Sequence, residues 1–231
     1  MSELKIIIPV YNEEGAITDV INDWMLTLQR LKIDFLIYAY NDGSKDNSLE
    51  ILQMLSKNNK KLVVVDKQNS GHGPTILKGY KDNLDAEWLF QVDSDNELKA
   101  NDFEKFWIER HNYDFLIGHR TDRNSPLPRI ITTAISKIIV GIFYGNKVKD
   151  VNAPYRLMRT SNFRDDIVKI PDLTFAPNLI VTGIANSKKM RIRQLNVIHH
   201  NRETGEVSIK KWKLLKAAFK SLIQTIVFRF K

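Results

Sequence analysis

The sequence predicts an α/β fold: a Rossmann-like, open, mostly parallel sheet with helices on both faces, followed by a C-terminal amphipathic helix. Three observations lead there. Short β-rich apolar runs alternate with helical patterns through the first half of the chain, the pattern of βαβ units whose parallel sheet is covered on both sides. Polar clusters follow several of the apolar runs, at the strand ends where such sheets bind ligands. The chain closes on a basic stretch with large apolar residues at three- and four-residue intervals.

The elements follow in order. Leu4–Val10 (LKIIIPV) is a strand, and 14–31 is a helix spaced through Ile17, Val20, Ile21, Trp24, Leu28 and Leu31. Residues 34–40 form a second strand, closed by the turn residues Asn41-Asp42-Gly43-Ser44. A helix over 46–57 points Leu49, Leu52 and Leu55 inward; 61–66 is a third strand and 72–83 a third helix behind a glycine turn. Trp88–Val92 (WLFQV) is a fourth strand ending at Asp93. Beyond it the pattern predicts a helix over 102–110, a strand over 114–118 and an apolar helix over 127–144. A strand over 148–158 interrupted by Pro154, a helix over 177–187, a strand over 190–198 and a loop over 199–206 complete the body. Residues 208–230 form the amphipathic helix, with Trp212, Leu215, Phe219, Leu222, Ile226 and Phe230 on one stripe. With no repeat or low-complexity linker, the division is a catalytic domain over 1–206 and a basic helix over 207–231.

Composition narrows the classes. The chain has 231 residues, 43% hydrophobic and 27% charged, which suits one globular domain and excludes a disordered or fibrous chain. Cysteine is absent, so disulfides, thiolate metal sites and a cysteine nucleophile are excluded, and a reducing cytoplasm is the expected location. The N-terminus offers no signal-peptide core. Residues 130–144 are apolar but carry Lys137, and they fall short of the ~20 residues that span a bilayer. Of the net charge of +8, Lys210, Lys211, Lys213, Lys216, Lys220, Arg229 and Lys231 supply seven, and nothing acidic follows Glu206. The basic character is local. It points to an anionic partner, which the Trp- and Phe-bearing stripe makes a membrane surface on the cytoplasmic side; packing of the stripe on the domain is the other reading. No nucleic-acid partner is expected, because a carboxylate-rich rim repels phosphates unless a metal is bound.

Asp93-Ser94-Asp95 can bring two carboxylates to one hard cation, Mg²⁺ or Mn²⁺, with coordination positions left for a diphosphate. As an isolated tripeptide it also reads as a solvated turn or helix cap. Its position after a buried strand favours the metal. Pro9-Val10-Tyr11-Asn12-Glu13-Glu14 follows the first strand with no glycine-rich phosphate loop, so a dinucleotide fingerprint is excluded there. Its tyrosine and carboxylates can hold a base and ribose, or cap the next helix. Asn69-Ser70-Gly71-His72-Gly73 is either an anion cradle at a helix start or a plain connection.

Together PVYNEE at 9–14, NDGSKDNS at 41–48, NSGHG at 69–73 and DSD at 93–95 resemble, in order and spacing, the family 2 glycosyltransferases of the GT-A fold. The resemblance implies that Pro9, Tyr11, Glu13 and Asp42 contact the nucleoside. It implies that Asp93 and Asp95 ligate the metal, with Ser94 between them in the donor site and Glu97 as a third ligand. Gly118-His119-Arg120, the run 150–158 and Arg202-Glu203-Thr204-Gly205 resemble the polyprenyl-phosphate glycosyltransferases, the dolichyl-phosphate mannose synthase group. That narrower likeness implies that Arg120 and Arg202 bind phosphates, Arg120 in the donor site and Arg202 on the acceptor-phosphate side with Arg156 and an assisting Lys210. This chain stretches the usual short Gly-x-Ser-Lys run to Gly205–Lys210 and has Asn152-Ala153-Pro154 where a Ser-Gly-Phe-like turn is usual.

The implied reaction is an inverting transfer from a UDP- or GDP-linked sugar to a polyprenyl phosphate. The alternative is transfer to a glycan or other hydroxyl in cell-surface polysaccharide synthesis. A hydroxyl acceptor needs a general base, for which Asp150 is the candidate; its other reading is an ion-pair partner of Arg156 or a nearby lysine. His119, His199 and His200 lack metal-ligand spacing and are expected in structural or loop roles.

Overall fold

The computed structural model describes residues 2–121, 141, 142, 145, 148–200, 223–225, 227 and 228. The apolar runs pair into a seven-stranded sheet: β1 (Leu4–Val10), β2 (Phe35–Asn41), β3 (Leu62–Asp66), β4 (Trp88–Val92), β5 (Phe115–Thr121), β6 (Tyr155–Arg159) and β7 (Ile192–Ile198). Their spatial order is β3-β2-β1-β4-β6-β5-β7. All neighbouring pairs are parallel except the two made by β6, which runs antiparallel to both β4 and β5. The expectation of a mostly parallel sheet holds.

Alternation along the strands divides the core. Ile6, Ile8, Phe90 and Leu157 face one side, where α1 (Ile17–Arg30), α2 (Ser48–Asn58) and α4 (Phe103–Glu109) pack through Trp24, Leu52 and Phe103. Ile7, Leu89, Phe115 and Met158 face the other, against α3 (His72–Asp82), α5 (Thr160–Ile167) and α6 (Pro177–Ser187). Helices therefore cover both faces.

Departures from the expected elements have local causes. The first helix starts at Ile17 rather than residue 14, because Glu14 is drawn away to accept hydrogen bonds from the main-chain N–H and side-chain amide of Asn47, at 2.9 and 2.8 Å. The strand expected over 148–158 begins only at Tyr155; residues 149–152 turn instead, and Pro154 cannot donate to a ladder. The short helix α5 was not expected: in TSNFRDDI only Thr160, Phe163 and Ile167 are buried, too few for a periodic signal.

The expected apolar helix over 127–144 and most of the helix over 208–230 lie outside the described residues. Of the latter, 223–225 and 227–228 are helical. Thr225 is 1% exposed, Phe228 packs on the core, and the Gln224 side chain accepts a hydrogen bond from the Phe175 N–H at 2.8 Å. Among the described residues no helix is long and apolar enough to cross a membrane.

Candidate active site

After β3 the chain returns to the far side of β1 to form β4, so β1 has neighbours laid down in opposite directions. The crevice beyond the carboxyl ends of strands at such a reversal is where open α/β sheets bind ligands. Three polar clusters meet there. Asn12 N–H donates to Ser44 Oγ at 3.1 Å, and Asn12 Oδ1 accepts from Lys45 N–H at 2.8 Å. Glu13 N–H donates to Ser48 Oγ at 2.8 Å, and Ser94 Oγ donates to the Pro9 carbonyl at 2.8 Å. Glu13 and Glu14 thus fasten the first cluster to the second rather than merely capping α1. Ser94 turns its hydroxyl inward as a latch between β4 and β1.

Asp93 and Asp95 stand at the end of β4. Asp93 Oδ1 lies 2.9 Å from His72 Nε2 and accepts from Gln91 Nε2 at 2.9 Å. Partial desolvation disfavours a charged His72 ring, but the field of Asp93, reinforced by Asp95 and Asp42, outweighs it and raises the His72 pKa. The rim is therefore electronegative. Among the described residues no three or more His, Cys, Asp or Glu side chains converge as a ready metal cage. Two carboxylates on a rim of this field nonetheless fit a divalent cation whose remaining ligands are water and phosphate oxygens, as Mg²⁺ requires.

Asp42, 3% exposed, is tightly held. It accepts from the N–H groups of Ser70 at 2.8 Å and Gly71 at 2.9 Å and pairs with Lys67 Nζ, which also donates to Ser70 Oγ and Thr75 Oγ1. The NSGHG segment is thereby pinned over the end of β2. At Gly73 an added Cβ would lie 1.9 Å from the Phe175 carbonyl, so only glycine fits the approach of α3 to the loop before α6.

On the other side of β4, Asp150 is clasped by Arg120: Nε to Oδ2 at 2.7 Å and Nη2 to Oδ1 at 3.1 Å, with both side chains largely buried. The ion-pair partner is Arg120, not Arg156. Arg156 corrects the expectation more strongly. It is 0% exposed and donates to the carbonyls of Ala153 (3.0 and 2.6 Å) and Asn178 (3.0 Å), so no phosphate can reach it in this arrangement. Burial lowers its pKa, while Asp150 and Asp93 favour its charged form. Glu97 pairs with His199 Nε2 at 2.9 Å and accepts at its carbonyl from the His200 N–H, joining the segment after Asp95 to the end of β7. Tyr11 is half-buried directly after β1. Arg202 and Lys210 lie outside the described residues.

This arrangement can be set beside known proteins. Residues 5–169 match the family described as Glycosyl transferase family 2. The chain belongs to that family. An uncharacterised protein of Methanocaldococcus jannaschii is 26% identical over 219 residues, covering 89% of this chain and 92% of its own length. The undecaprenyl-phosphate 4-deoxy-4-formamido-L-arabinose transferase of Proteus mirabilis is 21% identical over 223 residues, 95% of this chain but 66% of that protein. The chain thus spans just under two thirds of that transferase. Among solved structures, S. aureus TarS 1-349 in complex with UDP-GlcNAc superposes with a TM-score of 0.62 at 20% identity, covering 98% of this chain and 73% of that one. At that identity the likeness establishes the GT-A fold.

Within this family 2 chain, the residues that sequence reasoning passed over are Lys67, Gln91, Asn178 and the ring of His72. Only His72 carried a signal, standing directly after Gly71 at a helix start. The others are recognisable only once their distant partners are in place.

Proposed function

We propose that this glycosyltransferase moves a sugar, with inversion, from a UDP- or GDP-linked donor to a polyprenyl phosphate. The observation that carries the donor half is the meeting of the Pro9–Glu14, Asn41–Asp46 and Asp93–Asp95 clusters on one electronegative rim at the sheet's reversal. Tyr11, Glu13 and Asp42 are then the nucleoside side of the site, and Asp93 and Asp95 its diphosphate side. A bound Mg²⁺ or Mn²⁺ would be held by Asp93 and Asp95 and would neutralise charge developing on the departing nucleoside diphosphate.

Both carboxylate oxygens of Asp150 are engaged by Arg120, so accepting a proton there would disrupt a nearly buried ion pair. A hydroxyl acceptor would need that base; a phosphate monoester is already anionic and does not. The named activity of the undecaprenyl-phosphate transferase relative supports the same choice. An acceptor phosphate oxygen forms the new bond to the anomeric carbon as the bond to the diphosphate breaks, and Arg120, Arg202 and Lys210 are the cations assigned to the phosphates.

A lipid acceptor calls for docking at a membrane surface. The described turn over 223–228 supports it: Thr225 and Phe228 face the domain, while Ile223 and Val227 stay 46% and 47% exposed. The lysine-rich run ahead of them would face anionic lipid.

The test is transfer from radiolabelled UDP- and GDP-sugars with Mn²⁺ or Mg²⁺, with and without polyprenyl phosphate. Product in the lipid phase only when the acceptor and metal are present is expected. No binding of any nucleotide sugar overturns the transferase reading; transfer to a sugar hydroxyl, abolished by Asp150→Asn, moves it to the hydroxyl acceptor. For the membrane, the protein is expected to pellet with anionic vesicles at low salt, and failure to pellet removes that part.

A further inference from the structure

Behind Asp93 runs a line of buried polar side chains that no other part of the site uses. Tyr80 O–H donates to Asn178 Oδ1 at 2.9 Å, Asn178 Nδ2 donates to Gln91 Oε1 at 3.0 Å, and Gln91 Nε2 donates to Asp93 Oδ1 at 2.9 Å. Tyr80 and Gln91 are 0% exposed and Asn178 is 4% exposed. Every donor points the same way. An amide in such a line cannot flip without opposing two like atoms, so each orientation is fixed by the one behind it. The aligned dipoles end with their positive end on the carboxylate, and in a water-poor interior each bond polarises the next.

The origin of the line is fixed as well. Burial raises the Tyr80 pKa far above its ordinary value, which keeps the phenol a donor. The main chain of Asn178 is pinned through its carbonyl, which accepts from Arg156 Nη1 at 3.0 Å and Thr182 Oγ1 at 2.9 Å. Arg156 in turn grips the Ala153 carbonyl, three residues beyond Asp150. The sequence brings these groups together through register: Gln91 on β4 lies opposite Arg156 on β6. A buried polar group is costly unless paired, and three in succession, all paired and all directed at one rim carboxylate, form a built support.

We propose that Tyr80, Asn178 and Gln91 are positioning residues that orient the Asp93 carboxylate and hold it ready for the divalent cation and diphosphate of the donor. This rests on Asp93 serving the donor site as proposed above. Outer-shell partners of this kind typically change metal affinity by about ten- to a hundredfold when removed.

The test is a graded series read by calorimetric titration of UDP and GDP in Mn²⁺ and in EDTA. Gln91→Met keeps the volume and removes the donor to Asp93. It is expected to weaken the Mn²⁺-dependent nucleotide affinity by roughly ten- to a hundredfold and to leave affinity in EDTA unchanged. Tyr80→Phe, two bonds further back, is expected to produce the same kind of loss at smaller size while remaining folded. Losses that are equal in Mn²⁺ and EDTA, or no loss in either variant, overturn the proposal. An independent reading needs no nucleotide: the Gln91 side-chain amide protons should exchange slowly in the wild type and shift on Asp93→Ala. Fast exchange indifferent to Asp93 overturns the chain. If the wild type binds no nucleotide, the transferase reading fails, and the amide measurement still decides whether the chain exists.

Discussion

Asp93 and Arg156 show how two charged residues on neighbouring strands take opposite parts. Asp93 sits on the rim, its side chain 25% exposed, with donors converging on it; replacing it with Asn removes the charge and keeps an acceptor for the buried Gln91 amide. Asp93→Asn is therefore expected to lower kcat/KM by about a hundredfold or more with little change in Tm, measured by transfer assay and thermal melt together. Arg156→Met should do the reverse. It strands the Ala153 carbonyl in the core and leaves that of Asn178 with Thr182 as its side-chain donor, at a cost of about 1–3 kcal/mol in urea unfolding; unchanged stability would return Arg156 to a phosphate-binding role. The DSD rim was legible in the sequence because a polar cluster after a buried strand can face only one way. The role of Arg156 was not, because burial depends on α6 closing over it. Likewise Asn178 and Gln91 are partners 87 residues apart, a pairing no local pattern encodes.

At the level of elements, the start of α3 carries the most constraint. It is where Gly71, His72 and Gly73 bring one helix against the Phe175 loop while holding His72 on Asp93. Gly73→Ala must push these apart, and about 1–3 kcal/mol of destabilisation is expected in chemical denaturation. The join between β5 and β7 carries a pH dependence. Hydrogen bonds from the Arg191 side chain and main chain hold the Asp114 carboxyl below its ordinary range. A carboxyl depressed in the folded state contributes its stabilisation in full above the unfolded value, about 3.9, and loses it as pH falls through the folded value. Asp114→Asn should flatten the loss of stability on the acid side below about pH 5 and leave the neutral-to-alkaline limb unchanged. Strand and helix positions in the first half were readable to within a few residues, since each apolar run is bounded by its own turn. The direction of β6 was not: Tyr155–Arg159 reads the same way whether its neighbours are parallel or antiparallel.

For the whole molecule, the site spans strands from both ends of the chain, so a ligand there should stabilise the fold as a unit. Nucleotide and Mn²⁺ at about a hundred times Kd add about 2.7 kcal/mol, and a rise in Tm of roughly 5–10 °C is expected; a rise of the same size for Asp93→Ala would show that binding does not pass through the rim. Among the described residues β6 is the only antiparallel strand, and it alone joins β4 to β5. Its placement dictates an order of events during translation. By the time Val92 has left the ribosome, β3, β2, β1 and β4 are all present and can pair. The edge of β4 must then wait for Tyr155, 63 residues later, before its ladder is filled. The nascent chain thus holds its electronegative rim before the half that carries Arg120, Asp150 and Arg156 has been made. During that interval it presents an open, apolar strand edge of the sort that chaperones shield from aggregation.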